Sequence, residues 1–382
     1  MMRTPLLCGF ASPGAALFCL RHWSGRAGVS HAKTRRREEN AVRNSPHPLR
    51  PLRTLREVLL SFVLSVGLGV TCGAQVAKEA PPLPENVEVF TVRTRSEQNR
   101  EVPFYLRKPR DYDPAAKGIT YRLLLICPVF NGDGSVVVRG ERGYQPLVEL
   151  ADAQRWFILC PTFKQAGGEV RDRKRSYYYP EAFSGKAVLD ALDLVAKKYP
   201  VDATRLLLQG LSGGAQFVHR FALWAPERVT AVAVNSSSWF DPPNPKAALC
   251  AWLVTIGDSD ASFSNSIEFV TQLQEAGAAP IIRSYLGMVH EGSPKVDALN
   301  AAFLTFYDDL TRDQLGKPRG IRERQNPPKS LAGADMPFVG DSQDWRYYPN
   351  TAENREAVAP DSCLFLPDEK IAWLWGEQEA EK

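Results

Sequence analysis

Six times between residues 122 and 286 the chain spends five or six consecutive positions almost wholly on apolar residues, and this constrains its fold more than any other feature. The runs are Arg122–Cys127, Trp156–Cys160, Arg205–Gln209, Val229–Val234, Ala251–Ile256 and Ile281–Leu286. A strand with one wet face alternates polar and apolar residues. An unbroken Leu/Ile/Val run needs cover on both faces, as in a parallel sheet sandwiched by helices. The intervening sequence supplies those helices. Val188, Ala191, Leu192, Val195 and Tyr199 recur at helical spacing, with Lys197 and Lys198 near the C-terminal end. Val218, Phe221, Ala222 and Ala225 repeat the pattern until Pro226 stops it, and residues 263–276 and 294–312 read as two more helices. Two earlier strands, Val87–Val92 and Glu101–Leu106, have no helix between them and suit an antiparallel start. The expected class is α/β, a mostly parallel central sheet flanked by helices, over residues 85–313.

Residues 314–382 differ. Periodicity fades, residues 316–337 read as a linker, and the tail then carries Trp345, Tyr347, Tyr348, Phe365, Trp373 and Trp375. This is too aromatic for disorder and too short for a comfortable separate domain, so it is expected to pack on the core.

Charge locates a third segment. The chain holds 47 Lys+Arg against 43 Asp+Glu, net +4, but residues 1–74 alone carry 11 basic and 3 acidic residues. The rest is therefore −4, which gives no electrostatic case for nucleic acid. Arg50, Arg53 and Arg56 precede the apolar run Val58–Thr71 and the small residues Cys72-Gly73-Ala74. That is a secretory signal pattern with cleavage after Ala74, and the run falls short of the roughly 20 residues of a membrane span. A secreted or periplasmic protein follows, with a signal anchor as the alternative and no stable membrane span after processing. Residues 1–50 read as a disordered leader or an over-extended gene start, the latter favoured. Of seven cysteines, Cys127, Cys160, Cys250 and Cys363 follow the cleavage point, with neither a disulfide framework nor metal spacing.

Chemistry concentrates at Gly210-Leu211-Ser212-Gly213-Gly214, which joins the strand Arg205–Gln209 to the helix ending at Trp224. Glycines around a serine in a strand–turn–helix permit a tight, strained turn that exposes the hydroxyl as a nucleophile. A serine needs a base. Of five histidines, His22, His31 and His47 precede the cleavage point. His219 lies about 10 Å along the same helix, the place of a packing residue. His290, in the loop after Ile281–Leu286, remains. The acid that orients it is expected at the end of Ala251–Ile256, in Gly257-Asp258-Ser259-Asp260. Asp260 is preferred because one further loop position lets it turn toward His290. Asp258 then holds the loop or caps the next helix, and Asp241 is a weaker option.

These features, with Tyr199-Pro200-Val201-Asp202, Ala225-Pro226-Glu227-Arg228 and Ala231-Val232-Ala233-Val234, make residues from about Glu101 to Leu310 resemble the α/β-hydrolase superfamily. The likeness is to secreted esterases of the poly(3-hydroxybutyrate) depolymerase and feruloyl-esterase type. The resemblance implies the α/β-hydrolase fold, with Ser212 as nucleophile, His290 as base and Asp260 as acid. It also implies an oxyanion hole from the N–H of Gly213 and that of Phe130 or Val129. Where such esterases usually carry His-Gly after the equivalent strand, this chain has Pro128-Val129-Phe130-Asn131-Gly132. Trp239 and Phe240 are candidates to line a substrate pocket, or to pack in the core. Arg171, Arg173, Lys174 and Arg175, before Tyr177-Tyr178-Tyr179, would grip an acidic or sugar-bearing substrate or form a solvated face. No metal cluster or phosphate-binding loop is present, so no metal and no cofactor is expected. The function so read is hydrolysis of a small or polymeric carboxylic ester. A prolyl-oligopeptidase-like peptidase and a non-catalytic binding protein are the alternatives.

Overall fold

A computed structural model of the chain describes residues 81–94, 99–317 and 333–376. The signal pattern, the leader and Cys72 lie outside the described residues, as does most of the 316–337 stretch.

Eight strands form one sheet: β1 Val87–Arg93, β2 Glu101–Arg107, β3 Leu123–Cys127, β4 Phe157–Pro161, β5 Leu206–Leu211, β6 Val229–Asn235, β7 Ala251–Gly257 and β8 Ile281–Tyr285. Their order is β1-β2-β4-β3-β5-β6-β7-β8. β1 pairs antiparallel with β2 and β2 with β4, and every pairing from β4 to β8 is parallel. All residues of β3, β4, β6, β7 and β8 are buried, as their unbroken apolar runs require.

The helices are α1 Gly134–Val138, α2 Gln145–Gln154, α3 Gly185–Lys198, α4 Gly213–Trp224, α5 Phe263–Glu275, α6 Pro294–Thr311, α7 Ala352–Ala357 and α8 Glu369–Trp375. Lys197 and Lys198 complement the dipole at the end of α3. α6 starts on Ser293, whose side chain accepts from the Val296 N–H, with Pro294 at its first position. α1 and α2 have no counterpart in the helical patterns read from sequence.

A buried polar network fixes α6 to the sheet. The Asp308 carboxylate accepts from Arg122 Nε at 2.7 Å and from Trp156 Nε1 at 2.6 Å. Arg122 also donates to the Arg205 carbonyl and to Thr311 Oγ1, both at 2.6 Å. Neither side chain of the Arg122–Asp308 pair is exposed.

The C-terminal residues build a second small sheet, β9 Phe338–Asp341, β10 Arg346–Pro349 and β11 Cys363–Leu366, antiparallel in the order β10-β9-β11. It lies against the main core. Trp375, fully buried, donates through Nε1 to the Ile282 carbonyl at 2.6 Å, and Arg283 stacks on Trp345 at 4.3 Å. The described residues belong to a single compact unit. None of Cys127, Cys160, Cys250 and Cys363 forms a disulfide among the described residues.

From β3 the chain steps outward to β4, then returns to place β5 on the other side of β3. Connections leaving in opposite directions open a crevice at the strands' C-terminal edge, where open α/β sheets bind ligands. The loops after β3 and β5, Pro128–Gly132 and Leu211–Gly213, therefore meet there.

Candidate active site

Ser212 occupies the turn between β5 and α4 with φ 56° and ψ −115°, a backbone region costly for a residue with a side chain. The turn is possible because its neighbours lack side chains. A Cβ on Gly210 would lie 2.4 Å from the Gly214 carbonyl carbon, and one on Gly214 would lie 2.0 Å from the Cys127 carbonyl oxygen. The turn is held by the Ser212 N–H, which donates to the Asn235 carbonyl at 3.0 Å.

His290 Nε2 lies 2.8 Å from Ser212 Oγ, and its Nδ1 lies 2.8 Å from Asp260 Oδ2. The carboxylate fixes the tautomer: Nδ1–H donates to Asp260, leaving the Nε2 lone pair to accept the Ser212 hydroxyl proton. The Asp260 side chain is 2% exposed and also accepts from the Ser262 N–H at 2.8 Å, whereas His290 is 40% exposed toward solvent. A buried, oriented carboxylate thus stands behind an accessible imidazole.

The other acids do different work. Asp258 accepts from the Gly287 N–H at 2.7 Å, and Ser259 N–H donates to the Met288 carbonyl at 3.2 Å, so the loop ending β7 is clipped to the loop carrying His290. Asp241 is held by Arg220 Nε at 2.9 Å and Arg173 Nη2 at 2.7 Å, away from the imidazole. His219 is fully buried on α4. Its Nδ1 donates to the Ala215 carbonyl, and burial, reinforced by Arg220, pushes its pKa well below the ordinary histidine value.

Between the two candidate oxyanion residues of the β3 loop, the geometry favours one. A Cβ on Gly213 would fall 2.5 Å from the Phe130 amide nitrogen, so those two backbones touch. Among the described residues neither the Phe130 nor the Gly213 N–H donates to a protein acceptor. The Val129 carbonyl closes a turn with the Gly132 N–H at 2.7 Å. Asn131, absent from the residues picked out by sequence, pins this loop: its side chain donates to the Gln165 carbonyl and accepts from the Gln165 N–H. Its signal was the Asn131-Gly132 dipeptide, a turn pair that tolerates the observed φ of 52°.

The two pocket candidates diverge. Phe240 stacks on Phe269 at 4.2 Å and meets His219 at 5.0 Å, which turns it into packing rather than toward Ser212. Trp239 contacts Tyr178 at 5.7 Å, and Tyr178 in turn contacts Phe130 at 6.4 Å. Arg173 and Arg175 are exposed and bound to acids, Arg173 to Asp241 and Glu181 and Arg175 to Glu169 and Asp172.

Among the described residues no cluster of His, Cys, Asp or Glu has the makings of a metal site, and no helix is long and apolar enough to cross a membrane. A cavity of about 610 Å³ lies at the opposite end of β7, between the main core and the small sheet, lined in part by Cys250, Ala251, Pro280, Tyr307 and Phe365. It does not include the Ser212 cluster.

No protein-family model matches the chain, and no curated protein matches it. Solved structures do resemble it. A ferulic acid esterase is 19% identical with a TM-score of 0.44, over 59% of this chain and 97% of that one. A fluorophosphonate-binding serine hydrolase of Staphylococcus aureus is 14% identical with a TM-score of 0.45, over 58% and 97%. A fungal esterase from Rhizomucor miehei is 13% identical with a TM-score of 0.47, over 61% and 86%. The chain's own strand order, with its antiparallel first strands and the tight serine turn after β5, is that of an α/β-hydrolase fold.

Proposed function

We propose that the protein is a serine hydrolase acting on carboxylic esters. The reading rests on one observation: the unbroken hydrogen-bonded line from Asp260 through His290 to Ser212 Oγ, 2.8 Å at each step. In this reading Ser212 Oγ attacks the ester carbonyl as His290 Nε2 takes its proton, and Asp260 stabilises the resulting imidazolium. The amides of Gly213 and Phe130 donate to the tetrahedral oxyanion. They are spared from intramolecular bonds and lie at the start of α4, where the helix dipole favours negative charge. Collapse expels the alcohol, which receives the proton from His290 and leaves an acyl-Ser212. Water then attacks that ester, giving up a proton to His290, and the acid departs as Ser212 recovers its hydrogen. Proton and acyl group are both accounted for by residues of this chain.

We place the protein outside the cytosol, on the signal pattern at residues 50–74. N-terminal sequencing of exported protein tests this: a start at Gln75 supports it, and an intact residue 58–71 segment opposes it. The activity is tested by turnover of 4-nitrophenyl acetate and butyrate against a proline-containing chromogenic peptide. Ester turnover abolished in Ser212→Ala supports the reading, and turnover of the peptide alone contradicts it.

A further inference from the structure

Beside the serine turn stands a row of rings that the hydrolytic machinery does not use. Tyr177 packs its hydroxyl against Gly213, 2.8 Å from where a Cβ would sit, and meets Tyr178 at 4.8 Å. Tyr178 touches Phe130 on one side and Trp239 on the other. Phe130, the residue whose amide abuts Gly213, is 37% exposed. At the far end the Arg171 guanidinium lies over the Trp239 ring at 5.0 Å. The row thus runs from the oxyanion loop, through Tyr178 and Trp239, to a cation.

Arg171 differs from its neighbours. Arg173 and Arg175, on the same loop, are each tied to carboxylates, whereas among the described residues no acid lies within ion-pair distance of Arg171. An arginine stacked on an indole has its plane fixed and its edge N–H groups directed outward, which suits a carboxylate. The row also has a definite side. Phe130 follows β3, on one flank of β5, while His290 follows β8, on the other. The leaving alcohol must sit near His290, which protonates it, so the acyl group falls on the Phe130 side.

From this we infer that the site selects esters whose acyl part carries an aromatic ring and, beyond it, an anionic group. The ring lies along Phe130 and Trp239, which the buried Tyr178 backs and holds together, and the anion meets Arg171. The inference rests on the serine-esterase reading and adds a substrate class to it.

The test uses a matched pair, 4-nitrophenyl 4-(carboxymethoxy)benzoate and its neutral 4-(carbamoylmethoxy)benzoate analogue, which differ by one charge. Wild-type protein is expected to prefer the acid in kcat/KM by about three- to fivefold, the worth of one partly solvated ion pair. The preference should shrink as salt is raised from 20 to 500 mM, which a purely structural role for the loop would not produce. Arg171→Ala should remove the preference, Arg171→Lys should retain part of it, and Arg171→Glu should reverse it. Equal turnover of the pair by the wild type, or a preference that survives in Arg171→Ala, overturns the inference. Absence of any turnover, 4-nitrophenyl acetate included, instead overturns the esterase reading beneath it.

Discussion

Replacing Asp308 by alanine tests how the fold is held together. Its carboxylate is fully buried and accepts from Arg122 Nε, from Trp156 Nε1 and from Arg312 just past the end of α6. Removing it strands the Arg122 guanidinium, itself wholly buried, in an apolar layer with only the Arg205 carbonyl, the Asp308 backbone and Thr311 as partners. Burial already lowers the Arg122 pKa against the opposing pull of Asp308, so loss of the carboxylate leaves the desolvation cost unopposed. Breaking one side of a buried pair typically costs about 3–5 kcal/mol. At roughly 2–4 °C per kcal/mol for a domain this large, the melting temperature should fall by about 6–20 °C. Urea unfolding should show the same loss with an unchanged m-value. The double variant R122M/D308L removes both charges and should recover about 2 kcal/mol of that loss. An Asp308→Ala protein within about 1 kcal/mol of wild type, or a double variant no better than the single one, would refute the reasoning.

Gly257→Ala would place a Cβ 1.8 Å from the Met288 carbonyl oxygen, forcing apart the loops that carry Asp260 and His290. Ester kcat/KM should drop about a hundredfold in a protein that still unfolds cooperatively. Glu88 is another probe: burial would raise its pKa, but hydrogen bonds from Lys198, Tyr199 and Lys108 outweigh this and hold it at about 2, against 4.5 when unpaired. A depressed carboxyl stabilises above its unfolded pKa and loses that contribution as pH falls toward 2. Wild type should therefore exceed Glu88→Gln in urea midpoint at pH 6, with the gap closing by pH 2.5. Asp297 shows the opposite sign, since burial pushes its pKa from 3.8 up to about 6. Its ionisation opposes folding as pH rises through that range, so Asp297→Asn should be the more stable protein at pH 7.5 and lose its advantage by pH 4.

The parts of this molecule legible in sequence are those where one physical requirement dominates. Leu123–Cys127 and Leu206–Leu208 announce themselves as doubly buried strands because nothing else tolerates such runs. Ser212 is marked by its glycine-flanked turn, His290 by elimination, a route that works when histidines are few, and Asp260 only by its place one position further along the loop than Asp258. Short elements escaped. α1 has only five residues, three of them valines that favour strands, and exists because the Asp133 side chain caps Ser135 N–H and Gly134 fits against Cys160. β9 to β11 have four residues each, too few for alternation to register. Phe130 was indistinguishable from Val129 because a one-residue uncertainty in where β3 ends moves the loop by as much. Phe240, apolar and next to Trp239, gave no sign that Phe269 would claim it.

The central claim is that Ser212 is a nucleophile activated by His290. A fluorophosphonate probe with intact-mass detection and peptide mapping tests it most directly. The account predicts one adduct per chain, on Ser212, formed at least a hundredfold more slowly in His290→Ala and absent in Ser212→Ala. Native, folded protein that takes up no probe, or that labels equally after Ser212→Ala, would contradict it.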